Sequence, residues 1–305
     1  MEVAITGASG LIGSALSRAL RDDGHIVRPL VRPASTGQRA GPDAIRWDPA
    51  AGTIEADALG GIDAVVHLAG AGIGDKRWSP ARKREIRDSR VRGTDLLART
   101  LAGLDRPPAV FVCGSAVGFY GDRGDEVLTE RSAPGADFLA GVVQAWEAAA
   151  QPAVDAGIRT VFVRNGVVLA AEGGMLPRLV TLFRFFVGGR LGSGRQWLSW
   201  VSIDDEVGVI RFLFDQADAS GPVNVTGPTP VTNAQFTEAL GAALHRPTVV
   251  PVPAVGPRLV LGREMADEML FVSQRAVPAA LTAAGYRFTH PDVATALGAL
   301  VGDRR

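Results

Sequence analysis

Three glycines, Gly7, Gly10 and Gly13, recur at every third residue between a short apolar run, Val3–Thr6, and an amphipathic one. Few folds accept that arrangement. A strand that turns directly into a helix needs glycine where φ is positive. It needs a second where a ligand approaches the backbone, and a third where helix and strand pack closely. Leu11, Ile12, Ala15, Leu16, Ala19 and Leu20 then follow at helical spacing, and Gly24 stops them. Free amides and the helix dipole at such a start bind phosphate. Gly7, Gly10, Leu11, Ile12 and Gly13 are therefore read as a dinucleotide site. The strand before and the helix after lift the reading above a bare glycine triplet.

Strand-like and helical patterns alternate from there. Ile26–Val31, Ala64–Ala69, Val110–Cys113 and Thr160–Arg164 read as strands, and Ser79–Leu104 and Val142–Ala156 as helices. The alternation predicts an α/β fold, a Rossmann-type doubly wound parallel sheet with a small C-terminal substrate lobe. The pattern changes near residue 220. Val223–Val225 and Val249–Val252 read as strands. Asn233–Leu244, capped by Thr232, Val255–Phe271 and Asp292–Val301 read as helices. The division expected is a cofactor-binding domain over 1–222 and a substrate lobe over 223–305, with 176–198 contributing to the lobe.

Composition narrows the partners. The 305 residues hold 32 basic and 32 acidic side chains, so no net positive charge argues for nucleic acid or an anionic membrane. Cys113 is the one cysteine, which leaves no disulfide framework and no cysteine metal site. Apolar stretches such as Val161–Ala171 are too short to span a bilayer, and Glu2–Thr6 reads as a buried strand, not a leader. The expectation is a cytoplasmic monomer or homodimer that takes a small-molecule substrate.

The end of the second strand bears on which nicotinamide cofactor fits. A carboxylate about 20 residues past the turn would accept from a ribose 2′-hydroxyl. This chain reads Arg28-Pro29-Leu30-Val31-Arg32-Pro33 there, without an acid. Arg32 stands where a guanidinium forks onto a 2′-phosphate, which points to NADP(H); the alternative is a solvated arginine. Trp47 and Asp48 follow the expected third strand. They fit beside an adenine, and Trp47 fits equally in the core.

With these residues in hand, the chain resembles the extended short-chain dehydrogenase/reductases, which include sugar-nucleotide epimerases and dehydratases. The matching segments are Thr6–Gly13, Asp63–Gly70, Gly114–Gly121 and Trp200–Asp205. Gly262–Asp267 and Gly285–Phe288 resemble the short C-terminal region of an atypical branch of that group. The resemblance implies that Leu68, Ala69, Gly70 and Val167 contact the cofactor. Arg90 stands where many relatives have asparagine, and so faces the site.

It also implies a serine beside a Tyr-x-x-x-Lys helix. Ser115 matches the serine, but Asp137–Glu147, the matching helix, holds neither tyrosine nor lysine. Tyr120 matches a pocket-lining tyrosine, not the usual base. Ser115 and Tyr120 are thus the candidate catalytic pair, expected to hydrogen-bond substrate. Two function classes stay open: an NADP(H)-dependent oxidoreductase or epimerase, or an NADP(H)-binding redox or metabolite sensor without turnover. The missing dyad fits the sensor; Ser115, Tyr120 and the lobe fit the enzyme.

Overall fold

A computed structural model describes residues 1–32, 41 and 43–302. The glycine turn joins β1 (Glu2–Thr6) to α1 (Leu11–Asp22). β2 (Ile26–Val31), β3 (Ile45–Asp48), β4 (Thr53–Ile54), β5 (Ala64–His67) and β6 (Val110–Ala116) follow, and the strands Arg159–Asn165 and Gly221–Val225 complete an eight-stranded sheet. Its spatial order is Gly221–Val225, Arg159–Asn165, β6, β5, β1, β2, β3, β4. Every neighbouring pair is parallel except β3 with β4. The order reverses between β1 and β5, and ligands of open α/β sheets bind outside the carboxyl ends of the strands at such a point.

Both faces of the sheet are covered, as the strands' unbroken apolar runs require. Val3 and Ile5 of β1 and Val110 and Val112 of β6 pack on one side with Leu16 and Leu20 of α1. Ala4, Phe111 and Cys113 point the other way, toward Leu97 and Leu101 of α2 (Pro80–Ala102) and Trp146 of α3 (Phe138–Ala148). The glycine turn and the sheet strands β1, β2, β5 and β6 lie where the pattern put them, to within a few residues at their ends. Thr232 caps its helix in a reciprocal box with Gln235.

The departures have local causes. The helix expected over 142–156 starts earlier, at Phe138, where the Asp137 carboxylate accepts from the Ala140 amide at 2.8 Å. It also ends early. Pro152 lacks an amide hydrogen and opens a separate turn, α4 (Gln151–Asp155). Val249–Val252 forms no strand, because Pro251 and Pro253 flank Val252, which makes a single bridge to Leu191. α5 (Leu176–Arg184) and α6 (Ile203–Asp215) precede the lobe. Ser202 caps α6, accepting from the Asp205 amide at 3.0 Å. α7 (Asn233–Leu244) is as expected. The run 255–271 breaks at Gly262, φ 90°, into α8 (Val255–Leu261), α9 (Arg263–Ala266) and a wide turn, Asp267–Phe271. α10 (Ala279–Ala283) and α11 (Val293–Val301) close the chain. The edge strand Gly221–Val225 pairs in the main sheet, so a boundary drawn at residue 222 runs through it. No helix among the described residues is long and apolar enough to cross a membrane.

One buried group has no counterpart. Glu206 on α6 is fully buried, and neither carboxylate oxygen has a partner among the described residues. Burial pushes its pKa up to about 8. The folded state therefore holds this proton more tightly than the unfolded chain does. The stabilisation is complete below about pH 4.5, the ordinary value, and is lost as the pH rises toward about 8. Urea midpoints of wild type and Glu206→Gln across that range should show the wild type losing ground to the variant as pH rises. A gap that stays constant with pH would mean that Glu206 ionises freely in the fold.

Candidate functional site

The cleft at the β1–β5 reversal is built by backbone. Gly7 has φ 68°, and a Cβ there would lie 2.9 Å from the Leu68 carbonyl carbon and 3.0 Å from the Ala69 amide. Gly13 has no room for a Cβ either, because the Gly7 carbonyl oxygen fills its place. Gly10 differs. It is exposed, and a Cβ would meet only the Gly7 carbonyl oxygen, at 3.2 Å, before projecting into open space. Gly10 heads α1 without any side-chain cap, and no acid stands in the first turn. The amides of Leu11 and Ile12 thus open onto the cleft beside the positive end of a helix dipole. These residues fit a pyrophosphate.

A hydroxyl fixes the two sides of the cleft together. Thr6 Oγ1 accepts from the amides of Leu68 and Ala69 at 3.0 and 3.1 Å. Its own hydrogen is left for His67 Nδ1, 2.7 Å away. That assignment puts the imidazole hydrogen on Nε2, which is buried without a partner among the described residues. Burial, then the nearby Arg90 charge, lowers the His67 pKa to about 3. His67 is therefore neutral at any working pH and serves the wall of the cleft.

The other expected cofactor contacts divide. Arg32 is exposed just past β2, with no ion pair among the described residues. Leu68, Ala69 and Gly70 form the loop after β5, and Val167 begins the short strand Val167–Leu169 after Gly166. Arg90 lies beneath the loop. Its Nη1 donates to the Ala71 carbonyl at 2.9 Å and to Ile86 at 3.1 Å, and its Cζ stands 5.0 Å from the Trp146 ring centre. It has no carboxylate partner among the described residues. Burial, with Arg82 nearby, lowers its pKa to about 10, so it stays charged near neutrality. Trp47 is corrected. It lies within β3, buried, edge-on to His67 at 5.8 Å and against Gly93, which removes its face from any adenine. Asp48 Oδ1 accepts from the amides of Ala50 and Ala51 and so shapes a turn.

Ser115 and Tyr120 do come together, but not around a substrate. Residues 111, 113 and 115 share one face of β6, and that face carries α3. Ser115 Oγ donates to Glu147 Oε1 at 2.6 Å. Arg164 grips the same carboxylate with Nε and Nη2, both at 2.8 Å. Arg164 Nη1 donates to Tyr120 Oη at 3.1 Å, and Tyr120 Oη donates to Asn224 Oδ1 at 2.7 Å. Tyr120 is 0% exposed. Burial, against the hydrogen bond and charge of Arg164, leaves its pKa raised. Both hydroxyls face the protein interior with their hydrogens given away. The pair expected to touch substrate is a structural relay instead.

The place of the missing dyad is apolar. Leu139 and Val143, four residues apart on α3, face Gly118 in the turn Val117–Tyr120. A carboxylate from the C-terminal lobe reaches the start of α3 beside the Asp137 cap. Glu268 accepts from the Leu139 amide at 2.9 Å and the Phe138 amide at 3.4 Å. It is half-buried, and burial outweighs those amides to raise its pKa. Trp78 stands edge-on to Phe138 at 5.0 Å, and Lys83 Nζ lies 4.3 Å from the same ring centre. Sequence reasoning missed Glu268 because its contact spans 130 residues. Other basic side chains on α2 are paired: Lys83 meets Glu264 at 2.5 Å, and Arg92 meets Asp88 at 3.4 Å.

A doubly wound sheet with a glycine turn open at its reversal is the mark of a nicotinamide-dinucleotide-binding protein. The chain belongs to the NAD dependent epimerase/dehydratase family, whose model matches residues 3–226; residues 252–300 match the domain of unknown function DUF1731. It is 47% identical over 296 residues to the epimerase family protein Mb2239 of Mycobacterium bovis, covering 97% of this chain and 96% of that one. The epimerase family protein YfhF of Bacillus subtilis is 35% identical and matches along all of this chain and 99% of its own. Among solved structures, human epimerase family protein SDR39U1 with NADPH superposes with a TM-score of 0.89 at 33% identity over 99% of both chains. A nucleoside-diphosphate sugar epimerase from Corynebacterium glutamicum gives 0.81 at 40%, covering 99% of this chain and 58% of that one.

Tyr120→Phe should act on stability. It strands Asn224 Oδ1 and one Arg164 donor in the interior, a loss of about 1–3 kcal/mol. Chemical denaturation checks this, together with an NADPH titration that stays unchanged. Unaltered stability would show that water or a neighbour replaces the hydroxyl.

Proposed function

We propose that this chain is an NADP(H)-dependent oxidoreductase or epimerase of the extended short-chain dehydrogenase/reductase type, acting on a small carbonyl or hydroxyl compound or a sugar-nucleotide-like one. The observation that carries the cofactor reading is the uncapped start of α1 at an open Gly10, with Arg32, exposed and without an ion pair among the described residues, at the end of the neighbouring β2. The amides of Leu11 and Ile12 take the pyrophosphate, and Arg32 takes the 2′-phosphate. Arg90, a buried cation without a carboxylate among the described residues, adds positive charge under the Leu68–Gly70 loop. Val167 packs on the cofactor from the far side. The NADPH in the human relative's structure supports the same choice.

When bound, the nicotinamide supplies a hydride to a carbonyl carbon, and the oxygen then needs a proton. Leu139 and Val143 cannot give one, and the Tyr120 hydroxyl is sealed in the relay. Glu268 is the candidate donor. Burial raises its pKa and so favours the neutral acid, and its carboxyl is held at the first amides of α3, the helix that matches the one carrying the family's dyad. The aliphatic pair on α3 favours one rival reading, a sensor that binds NADP(H) without turnover. NADPH oxidation across a panel of carbonyl compounds separates the two.

Arg32→Ala should weaken NADPH by about tenfold or more, the worth of one charge-assisted bond, and leave NADH nearly unchanged. Equal losses for both would remove Arg32 from the phosphate. Gly10→Val should abolish binding of either cofactor while circular dichroism stays native. With a substrate in hand, Glu268→Gln keeps an acceptor for the two amides but removes the acid. Turnover should fall by about a hundredfold or more, with the basic limb of the pH profile gone and NADPH affinity retained. Unchanged turnover would return Glu268 to a purely capping role.

A further inference from the structure

The zero net charge of the chain conceals a lopsided surface. Residues 173–203 contain Arg178, Arg184, Arg190 and Arg195 and no acid; residues 239–263 contain Arg246, Arg258 and Arg263 and no acid. The fold joins the two stretches. The Gly192 amide donates to the Val252 carbonyl at 2.9 Å, the Val252 amide returns a bond to Arg190, also at 2.9 Å, and Arg246 Cζ lies 5.1 Å from the Phe186 ring centre. Arg258 is paired, with Asp267 at 2.7 Å. Arg178, Arg184, Arg190 and Arg246 have no carboxylate partner among the described residues.

Exposed apolar side chains flank the same seam. Leu182, Phe185, Phe186 and Val187 run off the end of α5, the last three at 74, 62 and 59% exposure. Val249 and Val250 stand beside them, and α8 adds Val255, Leu259 and Val260. Phe186 sits at φ 61°, a conformation bulky residues rarely adopt, with its ring held outward. Leu176 and Phe183 on the opposite side of α5 are buried in the core, so the helix is anchored beneath and apolar above.

We propose that this face docks the protein on an anionic lipid surface. Phenylalanine, leucine and valine enter the boundary between headgroups and acyl chains, and the unpaired arginines meet the lipid phosphates. Charge selects this occupant over a second copy of the chain. A two-fold contact through the same patch would set the unpaired arginines of one copy against those of the other.

Co-sedimentation with vesicles tests it. The full chain should pellet with phosphatidylcholine vesicles containing about a third phosphatidylglycerol and not with phosphatidylcholine alone, and high salt should release it. The double variant Phe185→Ser, Phe186→Ser should partition about tenfold or more less well, since two aromatic side chains no longer leave water. Its NADPH binding should match wild type, which confirms the fold. Failure of the wild type to pellet with the acidic vesicles overturns the proposal, and so does a double variant that pellets equally well. A dimer seen by analytical ultracentrifugation and abolished by the double variant also overturns it, by assigning the face to a second copy.

Discussion

The buried pair between Glu147 and Arg164 holds the region beyond the cofactor cleft in place. Desolvating two charges is expensive, and a pair of this kind is tolerated only when its other hydrogen-bonding atoms are also satisfied. Here Ser115 donates to the carboxylate, and Tyr120 and the Glu130 carbonyl accept from the guanidinium. Tyr120 passes the constraint to Asn224 on the edge strand, and Asn224 Nδ2 donates to the Val277 carbonyl of the lobe. Side chains that look catalytic by type are committed to keeping β6, α3 and two outer strands in register.

That commitment explains what could be read in the sequence and what could not. Glycine spacing and the 3.6-residue rhythm of Leu11–Leu20 depend on neighbours in the chain, so β1, the turn and α1 are legible directly. Arg32 is legible for the same reason, as a strand-end residue. Ser115 is not. Both faces of a central parallel strand are buried, so the run Val110–Ala116 carries no alternation to tell which face each residue takes. Trp47 hides by the same ambiguity. A one-residue difference between ending a strand and following it separates a core tryptophan from a stacking platform.

The C-terminal region was the least legible part, since its short pieces are defined by what they touch. Proline and glycine cut 249–271 into fragments whose hydrogen bonds go elsewhere. Glu268 acquires meaning only because the fold lays it on the first amides of α3, and Glu264 only because it meets Lys83. The C-terminal region thus supplies carboxylates to two helices of the sheet domain, Glu268 to α3 and Glu264 to α2.

The Glu130 side chain, little noticed so far, draws the whole arrangement into one unit. A single carboxylate oxygen accepts from the amide of Asn224 in the sheet and from the amide of Ala280 in the lobe, both at 3.1 Å. Sheet and lobe therefore share one carboxylate oxygen as a common acceptor. The lobe also lies against the edge strand, where Asn224 Nδ2 meets the Val277 carbonyl, and a strand edge stripped of that cover is a template for pairing with another molecule.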